Sequence, residues 1–295
     1  VIEWKRRADA YLAKPGEKQD LPLLAEWDKL VEKPDAASRR LFAEMVRTSG
    51  DFLQLAATTK SPKLTANQCR RIIDRVQTAA GPVKASIGDL AAVLFADTFN
   101  PELGRRRTTP VPMEGILANP TWEEALGTGD LCRPVRKLLA RWADLGGPAD
   151  SLTFQQFADL VRRQPFPEAA PALIMMAKDP KAHASLCRAI AIDALGTVGG
   201  TDATAALTAL LTDKTDVFDG TPAGENIIGD AALAALIRMD GKKISEYGID
   251  NNHQIVFGTN TPGKGIPLVL YGFHAPGARE KAVEKWKTES AKKGK

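Results

Sequence analysis

Apolar residues recur every three or four positions through most of this chain, the spacing of a helix buried along one side. The pattern predicts helices over 1–13, 21–32, 35–47, 51–58, 65–80 and 86–99. In the second, Leu21, Leu24, Trp27, Leu30 and Val31 share one face. Pro15-Gly16 and Pro34 punctuate the run, because proline lacks the amide that would continue a helix. Thr65 is placed to cap the fifth helix, and Gly81-Pro82 to stop it. The period breaks over "NPELGRRRTTPVPMEGILANP" (100–120), where four prolines and two glycines predict a long surface loop. Helix resumes at Thr121 and again over 131–145 and 153–163, with Gly-Gly-Pro at 146–148 as a boundary.

Residues 168–240 repeat. "AAPALIMMAKD" (169–179) returns as "ATAALTALLTD" (203–213), with Leu207 and Asp213 lying 34 positions after Leu173 and Asp179. "CRAIAIDAL" (187–195) returns as "IGDAALAAL" (228–236), where Ala232, Ala235 and Leu236 follow Ala191, Ala194 and Leu195 by 41 positions. Two tandem helix–turn–helix units fit this, the second with an insertion, "TDVFDGTPAGEN" (215–226), in its turn. A repeat of that length built from paired helices is the mark of an α-solenoid. The stretch resembles the bacterial HEAT repeat, whose second helix reads hydrophobic-Arg-x-x-Ala-x-x-Ala-Leu-Gly. Cys187, Arg188, Ala191, Ala194, Leu195 and Gly196 follow that pattern, and Lys178-Asp179-Pro180 fits the turn between paired helices. The second unit departs, with Gly229 in place of the Arg and Ile237 in place of the Gly. The resemblance implies a right-handed stack of helix pairs.

After 240 two short β-like runs, "HQIVFG" and "IPLVLYGF", predict a hairpin, and 276–292 a basic terminal helix docked by Val283 and Trp286. "EYG" followed by "REKAVEKW" resembles the tail after helical repeats in some exported bacterial proteins. The expected fold is mainly α: a right-handed solenoid of HEAT-like pairs, with a small hairpin near the C-terminus and a terminal helix. The expected divisions are 1–146 (helical, containing the Pro/Arg-rich loop), 147–250 (repeats) and 251–295 (hairpin and basic helix).

Composition changes this picture little. The 295 residues are 44% hydrophobic and 26% charged, ordinary for a globular chain long enough to bury a core without disulfides. No apolar run reaches the length of a membrane helix. Cys69, Cys132 and Cys187 are scattered and form no CxxC pair, so packed thiols are expected rather than a disulfide framework or zinc knuckle. A net charge of +4 is only mildly basic. The chain opens at Val1, and cytoplasmic and exported locations both stay open, the latter with a signal peptide already removed.

Several residues invite chemistry. "GTNTPGKG" (258–265) matches GxxxxGK after a β-like run, as in a loop that wraps phosphates, with Lys264 as the phosphate-reaching lysine. Gly265 stands where Ser or Thr would hold Mg²⁺, and a strand follows where a helix should, so a hairpin turn fits better. Asp193 sits on a mostly apolar helix; a strut bonded to backbone or to a basic side chain of the next repeat fits better than a catalytic carboxylate. Gly196 and Gly199-Gly200 suit a helix stop rather than a dinucleotide loop. His183 and Cys187 share a helix face, but two ligands do not make a zinc site. His253 and His274 flank the hairpin without a visible partner. No metal and no cofactor are expected.

Arg105, Arg106 and Arg107 could grip phosphate or an acidic partner, and Arg39-Arg40, Arg70-Arg71 and Arg162-Arg163 add basic doublets that read as solvated helix faces. The function expected is a non-enzymatic scaffold or complex subunit that binds another protein through Arg105–Arg107, Phe218 in the insertion, and the hairpin. Arg188, Ala191, Asp193, Ala194, Leu195, Gly196, Ala232, Ala235 and Leu236 would be its structural repeat positions. The alternatives are a nucleic-acid-binding HEAT-like protein, using the arginines, and a nucleotide-dependent enzyme, using Lys264.

Overall fold

Short polar boxes start several helices of this chain. In a computed structural model, the described residues are 2–13, 23–32, 35–49, 64–79, 85–99, 113–148, 151–179, 185–218, 226–255 and 268–293. They are mainly helical, and the chain divides into two units, Val1–Thr153 and Phe154–Lys295.

The first unit holds α1 (Ile2–Ala13), α2 (Leu24–Leu30), α3 (Ala36–Thr48), α4 (Ala66–Ala79), α5 (Ile87–Phe99), α6 (Met113–Leu117), α7 (Thr121–Ala125) and α8 (Cys132–Asp144). The 51–58 helix expectation lies outside the described residues. Asp35 caps α3 by accepting the Ser38 amide at 2.8 Å, and that bond, against burial, holds its carboxyl below the ordinary range. Reciprocal boxes start α4, between Thr65 and Gln68, and α5, between Ser86 and Asp89. Helix α5 is apolar almost all round, and Leu90 to Ala96 are all buried. It forms the centre of the unit, packed by α3, α4 and α8.

Two buried polar pairs cross this core. Trp142 Nε1 donates to Asp97 Oδ2 at 2.7 Å, and Thr121 Oγ1 donates to the Ala85 carbonyl at 2.7 Å. Helix α6 stands within the loop expected over 100–120, of which 100–112 lies outside the described residues. Its Met113, Ile116 and Leu117 are buried, and the Ile116 carbonyl accepts from Trp122 Nε1 at 2.7 Å. Burial of three apolar residues outweighs the flanking prolines, which end the helix without preventing it.

Cys69 donates its thiol to the Ala96 carbonyl at 3.1 Å, and burial pushes that thiol up to about 12. Only a thiolate attacks a disulfide reagent. Peptide mapping after Ellman's-reagent treatment of the native protein near pH 8 is expected to show Cys69 unmodified, with full modification in denaturant. Rapid native labelling of Cys69 would contradict its burial.

The second unit begins within α9 (Ser151–Arg163) and runs through a 3₁₀ turn at Pro167–Ala169 to α10 (Ala170–Lys178), α11 (Ser185–Val198), α12 (Thr201–Leu210) and α13 (Ile228–Met239). Helix α10 packs against α11, α12 against α13, and α11 against α13. Gly199 and Gly200 end α11 at φ of 71° and 94°, in the left-handed region open to glycine. A 3₁₀ turn at Ile244–Tyr247 then leads to β1 (Asp250–Ile255), β2 (Leu268–Gly272) and α14 (Ala278–Lys293). The strands are antiparallel, with Asp250 opposite Gly272 and Ile255 opposite Leu268, and a bulge between Asn251 and His253. Strand β2 packs on α13.

Candidate interaction surface

Among the described residues, the second unit carries most of the buried charge. On α11, Arg188, Ala191, Asp193, Ala194 and Leu195 are all buried, as are Ala232, Ala235 and Leu236 on α13. Alanines on both helices let the two backbones approach. Gly196 lies within this seam rather than at a helix stop: a Cβ there would stand 3.0 Å from the Ala235 Cβ. A second correction concerns Arg162. It is not on a solvated face; its side chain is 3% exposed and bonds Asp193 Oδ2 through Nε at 2.6 Å. Asp193 Oδ1 accepts from Arg238 Nη2. One carboxylate therefore ties α9, α11 and α13 together. Arg163 pairs with Asp159 at 3.2 Å, and burial pushes the Asp159 carboxyl up despite both arginines.

Arg188 makes a second tie. Its Nε donates to the Ala177 carbonyl at 2.9 Å, at the end of α10, and its Nη2 to Asp213 Oδ2 at 2.5 Å, just after α12. Burial raises the Asp213 carboxyl, but bonds from Thr215 and Arg188 outweigh it and hold the group low. In the second repeat Gly229 replaces this arginine and does related work with backbone alone. Its amide donates to the Asp213 carbonyl at 2.9 Å. A Cβ on it would lie 2.8 Å from the Leu211 carbonyl, and Leu211 is the counterpart of Ala177, 34 positions on. Arginine reaches across the gap in one repeat; glycine closes it in the other.

Compared with known proteins, the chain matches no family model, no curated protein and no solved structure. Its function has therefore to be read from its own geometry.

The C-terminal tail is tied to the repeats by polar groups that sequence reading did not pair. Asp230 on α13 is 1% exposed and takes both prongs of Arg279 on α14, Nε to Oδ1 at 2.7 Å and Nη2 to Oδ2 at 2.8 Å. Trp286 Nε1 donates to Asp240 at 2.9 Å. Lys285 donates to the Glu246 carbonyl at 2.8 Å and lies 4.6 Å above the Tyr247 ring, which joins "EYG" to "REKAVEKW".

Burial raises the Asp230 carboxyl above its ordinary value, although Arg279 pulls it down. Arg279→Met removes that pull and leaves burial, with Glu280 nearby, opposed only by the bond from the Ile227 backbone. The folded-state value then rises further above the unfolded one, so the folded protein takes up a proton more readily. Relative to the parent, Arg279→Met is expected to be least stable near pH 8 and to recover as pH falls through the raised value. Urea titrations near pH 8 and pH 5 check this; an equal loss at both would contradict it.

The remaining candidates are dispersed. Arg105–Arg107, His183, the 258–265 turn and Lys264 lie outside the described residues, as do the His253 side chain and most of the 215–226 insertion. The insertion's ends meet in a bridge between Asp216 and Ile227, beside half-buried Phe218. Cys187 is buried. His274 is exposed, 4.0 Å from Asp250. Arg40, Arg70 and Arg71 are exposed, and Arg40 pairs with Asp130 at 3.1 Å.

Proposed function

We propose that this chain is a non-enzymatic helical-repeat scaffold of HEAT-like pairs that binds another protein or serves as a subunit of a complex. The observation that carries the reading is the three-helix tie at Asp193. Asp193, which invited a catalytic reading in the sequence, and Arg188, a repeat position, are engaged in holding helix pairs together. Stacked pairs of this kind share one continuous core and leave long outer faces for partners. Surface segments then choose the partner: Arg105–Arg107 with their neighbours, Phe218 with the insertion, and the hairpin turn.

The test isolates complexes with the full-length chain and with three loop variants, and weighs them by native mass spectrometry. The variants shorten 104–110, 215–226 and 256–267. A defined partner that is retained by the parent and lost with one or more variants is expected. An unchanged partner after all three, or a chain that enters no complex, would overturn the reading.

A further inference from the structure

The surplus charge of this chain is gathered at its C-terminal end. Residues 278–295 hold seven Lys and Arg against three Glu, a net +4 that equals the net charge of the whole chain. The residues before them are therefore neutral in sum. Helix α14 carries much of this surplus, and one edge of it is fastened to the fold. Ala282 and Trp286 are buried, Arg279 donates to both oxygens of Asp230, and Ser290 Oγ donates to Asp240 at 3.0 Å. These positions share one side of the helix.

The opposite side faces solvent, and its charges are sorted. Lys281, Lys285 and Lys292 are exposed and lie within about 40° of one another around the helix axis, in a row roughly 16 Å long. Exposed Thr288 fills the gap between Lys285 and Lys292. Glu289, the acid nearest the row, is taken up by Lys242 and accepts from the Tyr247 hydroxyl at 2.6 Å. Glu280 and Glu284 are exposed as well, but stand about 100° further round the helix from Lys281 and Lys285. Lys285 is held in the row by its bond to the Glu246 carbonyl and by the Tyr247 ring beneath it.

We infer that this lysine row is a docking surface for an acidic segment of a partner protein, whose carboxylates stand opposite Lys281, Lys285 and Lys292. The charges around the row favour a protein over a nucleic acid or an anionic membrane. A uniform polyanion is held by an extended positive field. Here the rest of the chain is neutral in sum, and Glu280 and Glu284 flank the row. A protein segment answers such a mixed surface, with acids facing the lysines and neutral or basic residues facing the glutamates. Because the other edge anchors α14, the lysines are presented on an element already ordered, which lowers the cost of binding. The inference names a surface for the scaffold reading and rests on it.

An NMR titration of the full-length, isotope-labelled chain tests this at low ionic strength, where surface charges are least screened. The probe is a capped peptide of five Glu-Ala-Ala-Ala repeats. Amide shifts are expected along α14 at Lys281, Lys285 and Lys292. Lys281→Glu/Lys292→Glu is expected to weaken the probe at least about 10-fold, and Lys29→Glu/Lys243→Glu, the same change of charge at exposed positions elsewhere, less than about 2-fold. Neither double removes a contact that docks α14, and circular dichroism checks that the helices persist. No shifts on α14, equal losses from the two doubles, or tighter binding of a DNA duplex or phosphatidylserine vesicles through the same lysines would overturn the proposal. The row and the scaffold reading fail separately: a partner complex that keeps its mass with Lys281→Glu/Lys292→Glu overturns the row alone.

Discussion

Asp193→Ala is expected to destabilise the second unit by about 3–5 kcal/mol, the cost of removing one partner from a buried ion pair. The Arg162 side chain is 3% exposed and cannot swing to water as a surface arginine would. Arg238 is less confined, with 34% of its side chain exposed, so most of the loss falls on Arg162. Asp193→Asn keeps the shape and an acceptor oxygen but removes the charge, and should recover only part of the difference. Thermal unfolding followed at the helical signal reads the effect as a fall on the order of 10 °C. A fall under about 2 °C would mean that Arg162 finds equivalent partners without Asp193.

Gly229→Val is expected to be the next most damaging change, at about 1–3 kcal/mol or more, through overpacking. The obstruction is backbone, not a flexible side-chain end: the Leu211 carbonyl at 2.8 Å and the Asp213 carbonyl at 3.1 Å from a Cβ. Relief requires α13 to move off the turn after α12, which breaks the Gly229–Asp213 backbone bond. Gly199→Ala is the control. It has a φ of 71° and nothing within 4 Å of a Cβ, so it carries backbone strain without a clash. Its cost should be about 1 kcal/mol. Denaturant midpoints for the two variants and the parent decide the matter; equal losses would contradict the close-approach argument for Gly229.

The helical period made the long elements legible. Helices α3, α8 and α9 lie close to the spans that periodicity marks, and polar capping residues sit where α3 and α4 begin. The short α6 was hidden because four prolines in twenty-one residues outvote one buried turn when only composition is weighed. Gly196 resembled a helix stop because it precedes Gly199-Gly200; its packing partner, Ala235, is 39 residues away and leaves no local signature. The same limit applies to charge. Arg162-Arg163 before Gln164-Pro165 looks like the solvated end of a helix, and only the fold brings Asp193 across to it. Asp193 itself was visible as a carboxylate out of place on an apolar helix. Asp230 gave the same signal and passed unremarked, with Arg279 lying 49 positions on at the start of a helix whose basic residues suggested solvent.

Asp193 joins three helices, and double-mutant cycles measure that joining most directly. The singles are Asp193→Ala, Arg162→Met and Arg238→Met, with the two doubles that contain Asp193→Ala, each followed by urea unfolding. Coupling of about 1–3 kcal/mol between Asp193 and Arg162, and a smaller but resolved coupling between Asp193 and Arg238, is the predicted result. Losses that add to within about 0.3–0.5 kcal/mol in both cycles would contradict it.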